Sequence, residues 1–530
     1  MGTYTGGKVD LVFKHDAVPV FLKARRVPFP RLQQVQAELD RLEELGILTP
    51  VNYSNWATPL VVVPKKGAPD ESGADAPATG IRLCGDYRST VNNQLLIDQF
   101  PLPTPDQLFV QLNGASWFSR TDMRLAYAQL EVGEETAMAL TINTPNGLYK
   151  VNRLPFGVAS APAIFARTLQ TELRNLEGIF CFLDDVLVFA HSETQLLQCE
   201  AALLQRLSEL GFALNFEKCL FGVREIRYLG FLISSRGISP LPERVEALHR
   251  APAPSNATEL KSFLGHLTYY DRFCPNRASV AAPLYELLEK DVPFLWGASQ
   301  EQAFNDTKAL LCSDQVLSYY SLTLPVAVGC DSSLAGCGAV LYNIDEGILK
   351  PVMYVSKAFT KTQQNWSVFE REFAACVFAV TRLHEFLAGR TFYLFTDHKP
   401  VVQFLLKRTP EITTPRILRG LLILGSYSIL PVYRSGSQNA DADNLSRLIP
   451  PSYKVDTEFF PETGAVLAIG LNDGPIGRPH SEEPPPFSAK TVSRLTPTDP
   501  ELGPILNWCL TFRTQEASLA RTSESETRSQ

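Results

Sequence analysis

The chain has 530 residues, of which 45% are hydrophobic and 20% are charged; these are globular values, and the length predicts about three or four domains. The 56 acidic and 49 basic residues give a formal net charge of −7, so composition does not by itself indicate nucleic-acid binding, although a local basic groove is compatible with it. The ten cysteines show no zinc spacing, which predicts reduced thiols in an intracellular protein. No signal peptide or membrane-spanning apolar run is present.

The first 90 residues predict a helix, two strands and a loop. Leucine and valine recur at helical spacing over residues 32–42, and Gly46 suits the position just after the helix end. Residues 54–66 have a strand pattern, and residues 67–80 are rich in Gly, Ala, Pro and Asp, which predicts a flexible loop. Residues 82–88 predict a further strand. Amphipathic packing is a sufficient explanation of the helix.

An acidic pair in the middle of the chain is the first candidate for chemistry. Asp184 and Asp185 lie between two short apolar runs, which predicts a tight hairpin with buried strands and the acids at its tip. A solvated turn explains this pattern, and so does a two-metal site for phosphoryl transfer, where carboxylates hold divalent cations. Such a site needs another carboxylate. Asp122, at the end of an apolar strand-like segment, is the candidate.

These features and their order resemble the reverse transcriptase of gypsy-type LTR retrotransposons, which is related to retroviral polymerases. The resemblance spans roughly residues 20–447. The palm of that family has an Asp that ends one strand and a Tyr-x-Asp-Asp hairpin beside it. The matching positions here are Asp122, Asp184 and Asp185, with Phe182 in place of the usual Tyr. The resemblance implies that these three carboxylates bind metal and carry catalysis.

The resemblance also implies a nucleotide pocket. Lys65 stands where basic residues of the fingers meet the incoming triphosphate, and Arg82 matches an arginine that contacts it. An isolated strand arginine is otherwise a surface residue. Tyr127 stands where an aromatic ring lies under the deoxyribose and excludes ribonucleotides, and a core aromatic explains it equally well. Phe156 and Gly157 belong to a Pro-Phe-Gly segment that shapes the pocket, where Gly permits close backbone approach.

Further along, the matching segments are those that hold the primer and the duplex. Leu229 and Gly230 resemble the primer grip, whose turn supports the growing 3′ end. Residues 214–219 match one of the family's closing strands, and Lys218 within them is either a proton donor to pyrophosphate or an exposed strand lysine. In the thumb-like helices that follow, we expect His266 to be a helix-packing residue.

A second set of acids resembles the site of a ribonuclease H fold. Residues 326–341 predict a strand, an acid, a glycine-containing turn and a second strand, and residues 367–370 resemble a capping box that starts a helix. The family pattern implies four metal-binding carboxylates, which are Asp331, Glu372, Asp397 and Asp443. Four acids brought together would repel unless cations neutralise them. The alternative is four unrelated surface acids.

Two of these assignments have rivals two residues away, namely Glu370 and Asp441. Helical spacing separates Glu370 from Glu372 by about 200°, so only one of them can face the site. Glu372 is favoured because the family's Glu-x-x-Ala pattern begins there and because Glu370 suits a capping contact with Ser367.

The implied fold class is a multidomain α+β chain: a right-hand polymerase of fingers, palm and thumb, then an α/β ribonuclease H-like domain and a largely disordered tail. The predicted domains are an N-terminal extension at 1–30, fingers and palm at 31–236, a thumb-like helical region at 237–322, a ribonuclease H domain at 323–449, and a Pro/Ser-rich linker or disordered tail at 450–530.

The implied function is RNA-directed and DNA-directed DNA polymerisation together with cleavage of RNA in RNA–DNA hybrids, as in a retrotransposon Pol. Two Mg²⁺ per active site are implied, with Mn²⁺ as an alternative. The implied partners are RNA and DNA template–primer, RNA–DNA hybrid and deoxynucleoside triphosphates. No membrane partner is expected, the oligomeric state is left open, and the expected location is intracellular, in a cytoplasmic particle or the nucleus.

Two other classes of protein compete with this interpretation. One is a decayed or domesticated relative that binds nucleic acid without catalysis. The other is a cellular ribonuclease with a degenerate polymerase half, suggested by Phe182 and by the long loop at 67–80. The presence of all seven candidate carboxylates favours the two-activity enzyme over both.

Overall fold

The fold was analysed in a computed structural model, which describes residues 2–64, 80–311, 315–407 and 414–435. The predictions for Lys65, for the loop before residue 80, for Asp441 and Asp443, and for the tail at 450–530 lie outside these ranges. The chain divides into two compact units, Met1–Gly237 and Ile238–Gln530.

The first unit contains short helices and strands that alternate along the chain. Its helices are α1 (Leu32–Glu44), α2 (Pro105–Gln111), α3 (Glu134–Ala139), α4 (Ala161–Leu173) and α5 (Glu193–Glu209). Its strands are β1 (Leu48–Val51), β2 (Thr58–Pro64), β3 (Ile81–Gly85), β4 (Trp117–Asp122), β5 (Ile142–Thr144), β6 (Gly147–Val151), β7 (Ile179–Phe182), β8 (Asp185–Ala190), β9 (Leu220–Val223), β10 (Glu225–Tyr228) and β11 (Phe231–Ser234).

Two sheets organise this unit. The five-stranded sheet has the order β1-β6-β5-β2-β3, and the four-stranded sheet has the order β7-β8-β4-β9. Helix α4 packs against β7, and its Phe165 and Leu169 have no exposed surface. The predicted α1 is confirmed, and it ends before Gly46, whose φ of 68° lies in the left-handed region that glycine adopts without strain.

One predicted strand in this unit is wrong. Residues 214–219 form a single bridge and a 3-10 turn, Phe216–Lys218, and the strand begins only at Leu220. The backbone explains the difference, because the N–H of Asn215 donates to the carbonyl of Asp122 and the N–H of Lys218 donates back to the carbonyl of Asn215. The chain therefore turns at the point where an extended segment was expected.

The second unit begins with a helical region and continues into a mixed sheet. Its helices are α6 (Pro242–Arg250), α7 (Ala257–Tyr269), α8 (Arg277–Val280), α9 (Ala282–Glu286), α10 (Ala298–Ala309), α11 (Lys361–Gln364), α12 (Val368–Arg382), α13 (His384–Leu387), α14 (Lys399–Leu406) and α15 (Pro415–Leu424). Its strands are β12 (Gly237–Pro240, which starts at the unit boundary), β13 (Val326–Ser332), β14 (Gly336–Asp345), β15 (Ile348–Ala358), β16 (Thr391–Thr396) and β17 (Ser428–Tyr433).

The sheet of the second unit has the order β15-β14-β13-β16-β17. The pairs β13–β14 and β14–β15 are antiparallel, whereas β13–β16 and β16–β17 are parallel. Helix α12 packs against β13 and β14, and the short α8 packs against β14 and β15. Because β13 and β16 run in the same direction, their C-terminal ends lie at one edge of the sheet.

The helical region that opens this unit has its own small core, in which α7, α9 and α10 meet through Leu260, Phe263, Leu284 and Phe304. The prediction that His266 packs between helices is wrong. Its side chain is exposed and its Nδ1 lies 2.7 Å from the carbonyl oxygen of Ser262 one turn earlier. The apolar stripe of α7 occupies the opposite face, so the helix period places residue 266 toward solvent.

The cysteines in the described ranges are all free thiols. Every helix in those ranges is too short or too polar to cross a bilayer.

Candidate active sites

The acidic pair lies on a hairpin as predicted. Strands β7 and β8 pair in antiparallel register from Phe182 opposite Asp185, so Leu183 and Asp184 form a two-residue turn. Leu183 has a φ of 56°, a left-handed conformation that is rare for a bulky side chain and is commonly strained. The hairpin therefore holds Asp184 at its tip. The turn requires a left-handed backbone at Leu183, which leucine does not favour.

Strand pairing brings the third acid beside this turn. Asp122, the last residue of β4, is paired in register with Asp185, the first residue of β8. Burial and the neighbouring charge of Asp184 raise the pKa of Asp185, and Asp122 adds to this effect. The carboxylates thus lie close enough to interact, and their mutual repulsion would be relieved by a cation.

Two basic residues stand beside these acids. Lys218 lies on the 3-10 turn and not on a strand; its side chain is 62% exposed, and its Nζ is 4.0 Å from Oδ1 of Asp122. Arg120, two positions before Asp122 on β4, is half-buried and counteracts the rise in the pKa of Asp185. The sequence analysis missed Arg120. The period of two along a strand, which places residues 120 and 122 on one face, was the available signal.

The predicted primer-grip turn is joined to the same site. Leu229 and Gly230 connect β10 to β11 with φ values of 44° and 74°. The buried Tyr228 donates its hydroxyl to the backbone carbonyl of Asp185 at 3.3 Å. Arg120 Nη1 donates to the carbonyl of Arg227 at 3.4 Å. These two hydrogen bonds fix the end of β10, and with it the turn, relative to β8 and β4.

The predicted sugar-contacting residue, Tyr127, lies between the core and the acidic hairpin. Its ring is 8% exposed and packs 4.8 Å from the ring of Phe156 and 5.3 Å from that of Phe165. Burial raises the pKa of Tyr127, with a smaller contribution from the charge of Asp184. Tyr127 is thus a core aromatic and also a near neighbour of the hairpin, so both predicted roles are compatible with its position.

The other predicted pocket residues within the described ranges are Arg82, Phe156 and Gly157. Phe156 is 48% exposed. Gly157 has a φ of 94°, and a Cβ at this position would lie 3.3 Å from the carbonyl oxygen of Gly85, which is a tight contact. Arg82 is exposed on β3 opposite Val63, and no ion pair within the described ranges holds it. A free guanidinium is available to bind an anion.

The second set of acids comes together at one edge of the mixed sheet. Asp331 is on β13, Glu372 is in the second turn of α12, and Asp397 follows β16. One carboxylate oxygen of each lies within 4.8 Å of the others. The parallel pairing of β13 with β16 brings Asp331 close to Asp397, and the packing of α12 on β13 brings Glu372 to them. Asp443 lies outside the described residues.

The chemistry of Glu372 fits a divalent cation. The residue is 6% exposed, its Oε1 accepts a hydrogen bond from Ser332 Oγ at 2.8 Å, and its buried Oε2 has no hydrogen-bond partner within the described residues. Burial raises the pKa of Glu372 to about 7, and the charges of Asp331 and Asp397 add to this, whereas the Ser332 hydrogen bond opposes it. A cation would supply the missing partner and stabilise the ionised form.

Glu370 lies elsewhere. Its backbone N–H donates to Ser367 Oγ at 3.2 Å, and its Oε2 accepts from the backbone N–H of Ser367 at 3.1 Å, which is a reciprocal capping box. Its Oε1 accepts from Arg416 Nη1 at 2.8 Å. The structure therefore brings Glu372 to the other acids and uses Glu370 to cap α12.

Comparisons with protein families match both parts of the chain. A family model described as reverse transcriptase (RNA-dependent DNA polymerase) matches residues 63–233, which include Asp122, Asp184 and Asp185. A model described as the RNase H-like domain found in reverse transcriptase matches residues 296–394, which include Asp331 and Glu372.

Relatives of this chain are polyproteins of transposons. The retrovirus-related Pol polyprotein from transposon 412 of Drosophila melanogaster is 32% identical over 443 residues, which are 83% of this chain and 35% of that protein. The corresponding protein from transposon opus of Drosophila melanogaster is 30% identical and covers 88% of this chain and 47% of its own length. The transposon Tf2-3 polyprotein of Schizosaccharomyces pombe is 28% identical over 83% of this chain and 32% of its own length. The chain thus spans 32–47% of the length of these curated relatives.

Solved structures share the fold. The foamy viral protease–reverse transcriptase in complex with double-stranded DNA has a TM-score of 0.71 at 20% identity and covers 82% of this chain and 89% of its own. The same protein in complex with an RNA/DNA hybrid has a TM-score of 0.66 at 20% identity, with 85% and 59% coverage. This likeness confirms the predicted multidomain α+β fold class. The finer assignment to gypsy-type elements stays a prediction. Together, the two family models show that this chain joins a reverse transcriptase domain to the RNase H-like domain found in reverse transcriptases, and over most of its length the chain is similar to part of the Pol polyproteins of transposons.

Proposed function

We propose that the chain synthesises DNA on RNA and DNA templates and cuts the RNA strand of RNA–DNA hybrids. The observation that carries the proposal is that each of the two units contains its own group of neighbouring acids, one around the β7–β8 hairpin and one at the edge of the mixed sheet. Paired carboxylates of this kind are typical of phosphoryl transfer assisted by two metal ions.

In the polymerase domain, Asp122, Asp184 and Asp185 would hold two Mg²⁺, or Mn²⁺. In the ribonuclease H domain, Asp331, Glu372, Asp397 and Asp443 would do the same. When bound, such cations activate the attacking oxygen and stabilise the leaving one. The support for a divalent cation is the convergence of acids at each site and the unpartnered Oε2 of Glu372.

The residues around the polymerase acids would bind and orient the nucleotide. Lys65 and Arg82 would pair with its triphosphate as cations, and Arg82 is free of ion pairs within the described ranges. Tyr127 would lie under the sugar, because its ring is beside Asp184 and in contact with Phe156. Gly157, behind Phe156, would let the backbone approach the ligand closely.

Leu229 and Gly230 would support the 3′ end of the primer. Their turn is tied to the acidic hairpin through the hydroxyl of Tyr228. A turn fixed in this way would keep the attacking hydroxyl at a constant distance from the carboxylates, which is how positioning lowers a reaction barrier.

The proposed partners are template–primer duplexes of RNA and DNA, RNA–DNA hybrids and deoxynucleoside triphosphates. The support is that the foamy viral relatives of this fold are described in complex with double-stranded DNA and with an RNA/DNA hybrid. We also propose the intracellular location and the division into fingers and palm, thumb-like region, ribonuclease H domain and tail at the boundaries predicted from the sequence.

The purified full chain provides the test. A labelled DNA primer on an RNA template, with Mg²⁺ and deoxynucleotides, should be extended, and a labelled RNA–DNA hybrid should be cut in its RNA strand. Chelation of the divalent cation should stop both reactions. A chain that binds the template–primer but performs neither reaction in Mg²⁺ or Mn²⁺ would support the alternative of a non-catalytic nucleic-acid-binding relative.

A further inference from the structure

One serine touches two of the acids at the edge of the mixed sheet. Ser332 is the last residue of β13 and directly follows Asp331. Its Oγ donates a hydrogen bond to Oε1 of Glu372 at 2.8 Å, and its backbone N–H donates to Oδ1 of Asp331 at 2.8 Å. Ser332 and Glu372 are 40 residues apart in the sequence, so the side-chain bond joins a strand to a helix.

Within the described residues, the hydrogen bonds to the Glu372 carboxylate come from Ser332. Glu372 is 6% exposed, and its Oε2 has no hydrogen-bond partner within the described residues. The hydroxyl of Ser332 donates to its Oε1, and the backbone N–H of Ser332 is a weaker second donor to the same carboxylate, so Ser332 holds it on one side. A carboxylate held through one oxygen has a defined orientation, and its second oxygen stays available to a cation.

We propose that Ser332 is a positioning residue of the ribonuclease H site, and that its hydroxyl orients the Glu372 carboxylate for binding a divalent metal ion. This inference rests on the proposed function, because it takes the three acids as a metal site. Residues that hydrogen-bond to a metal ligand set its orientation, and their loss typically weakens metal affinity or activity by about 10–100-fold.

The competing explanation is that the hydroxyl contributes only to local stability, as an ordinary hydrogen bond between β13 and α12. The two explanations predict different measurements. A stability role would lower the melting temperature and leave metal affinity unchanged, whereas a positioning role would weaken metal binding in a chain that is still folded.

Neighbouring residues and isosteric substitutions give matched controls. Ser332→Ala removes the hydroxyl. Ser332→Thr keeps the hydroxyl. Ser332→Val has the shape of the Thr variant, with a methyl group in place of that hydroxyl. Both Thr and Val are β-branched and suit a strand. Ser333→Ala removes a hydroxyl from the adjacent turn, where Ser333 Oγ bonds to the backbone of Gly336 and, among the described residues, to no acid.

The test is the affinity of the full chain for Mn²⁺, measured by titration calorimetry, with the Asp331→Asn variant as the reference for binding elsewhere on the chain. We expect Ser332→Ala and Ser332→Val to bind about tenfold more weakly at this site, and Ser332→Thr and Ser333→Ala to bind as wild type does. In hybrid cleavage, the metal concentration for half-maximal rate should rise by the same factor, with the rate at saturating metal little changed.

Equal Mn²⁺ affinity of wild type, Ser332→Ala and Ser332→Val would overturn the inference, and so would a wild-type chain that binds no more Mn²⁺ than Asp331→Asn does. If Ser332→Ala fails to fold, the comparison of Mn²⁺ affinity between Ser332→Thr and Ser332→Val tests the inference by itself. A chain in which Ser332 controls Mn²⁺ affinity but which cuts no hybrid would keep the inference and refute the proposed ribonuclease activity.

Discussion

Tyr127 is the residue at which the core and the proposed nucleotide pocket meet. Its ring contacts two phenylalanines and lies beside Asp184. If the ring blocks a 2′-hydroxyl, Tyr127→Ala should admit ribonucleotides. The ratio of kcat/KM for a deoxynucleotide to that for its ribonucleotide should fall by about 10–200-fold, the range expected for loss of one steric contact in a pocket.

The matched control for that variant is Tyr127→Phe, which keeps the ring and should keep the ratio. Circular dichroism would check that Tyr127→Ala is folded, because removing a buried ring costs about 3–5 kcal/mol. An unchanged ratio in a folded Ala variant would leave Tyr127 as a core aromatic only.

Glu372 and Glu370, two positions apart on α12, have opposite surroundings. Glu372 faces the other acids, and Glu370 completes a capping box and pairs with Arg416. Glu372→Gln should therefore abolish hybrid cleavage with little change in melting temperature. Glu370→Gln should keep cleavage and cost about 0.5–1 kcal/mol of stability through the weaker cap.

Both variants are compared by cleavage rate and thermal unfolding of the same preparation. Exchanged phenotypes, with cleavage lost in Glu370→Gln and retained in Glu372→Gln, would show that the ligand has been assigned to the wrong residue.

At the scale of the element, features with a local sequence signal were predictable. The β7–β8 hairpin, the start of α12 and the end of α1 follow from alternation, a capping box and a glycine. The turn at residues 216–218 was missed because a backbone bond from Asn215 to Asp122, 93 residues away in sequence, bends a segment that looks extended locally.

The same reasoning explains which site residues escaped detection. The contact of Arg120 with the carbonyl of Arg227 spans 107 positions, and that of Ser332 with Glu372 spans 40. No local pattern contains such pairs. The acids themselves were found because the family motif fixes their positions, whereas His266 was misplaced because an amphipathic stripe constrains only the residues on its own face.

The packing of α8 on the mixed sheet depends on a glycine. Gly338 is paired with Asp331 across β13 and β14, and a Cβ at Gly338 would collide with Oδ1 of Asn276, the residue that precedes α8. Because that oxygen ends a side chain that can move, Gly338→Ala should destabilise the unit by about 1 kcal/mol, the low end of the usual cost of overpacking.

Asn276 has a φ of 49°, which glycine also adopts, so Asn276→Gly removes the obstructing side chain without backbone strain. When Asn276→Gly is combined with Gly338→Ala, the double variant should recover part of the lost free energy of unfolding. The coupling energy from a double-mutant cycle, measured by urea unfolding, reports on this contact. Additive effects of the two substitutions would contradict the packing described here.

On the scale of the whole molecule, the central claim is that one chain contains two separate catalytic sites. The first set of acids lies within Met1–Gly237 and the second within Ile238–Gln530. The acids that the structure describes are held by strand pairing or helix packing inside their own unit. A substitution in one set should therefore leave the chemistry of the other intact.

The most direct test is to measure primer extension and hybrid cleavage on the same preparations of wild type, Asp184→Asn and Glu372→Gln. Loss of a metal ligand should lower the rate of its own reaction by about 100-fold or more. We predict that Asp184→Asn loses extension and keeps cleavage, and that Glu372→Gln does the reverse. Loss of both activities in either variant, with the fold intact by circular dichroism, would contradict the account of two independent sites.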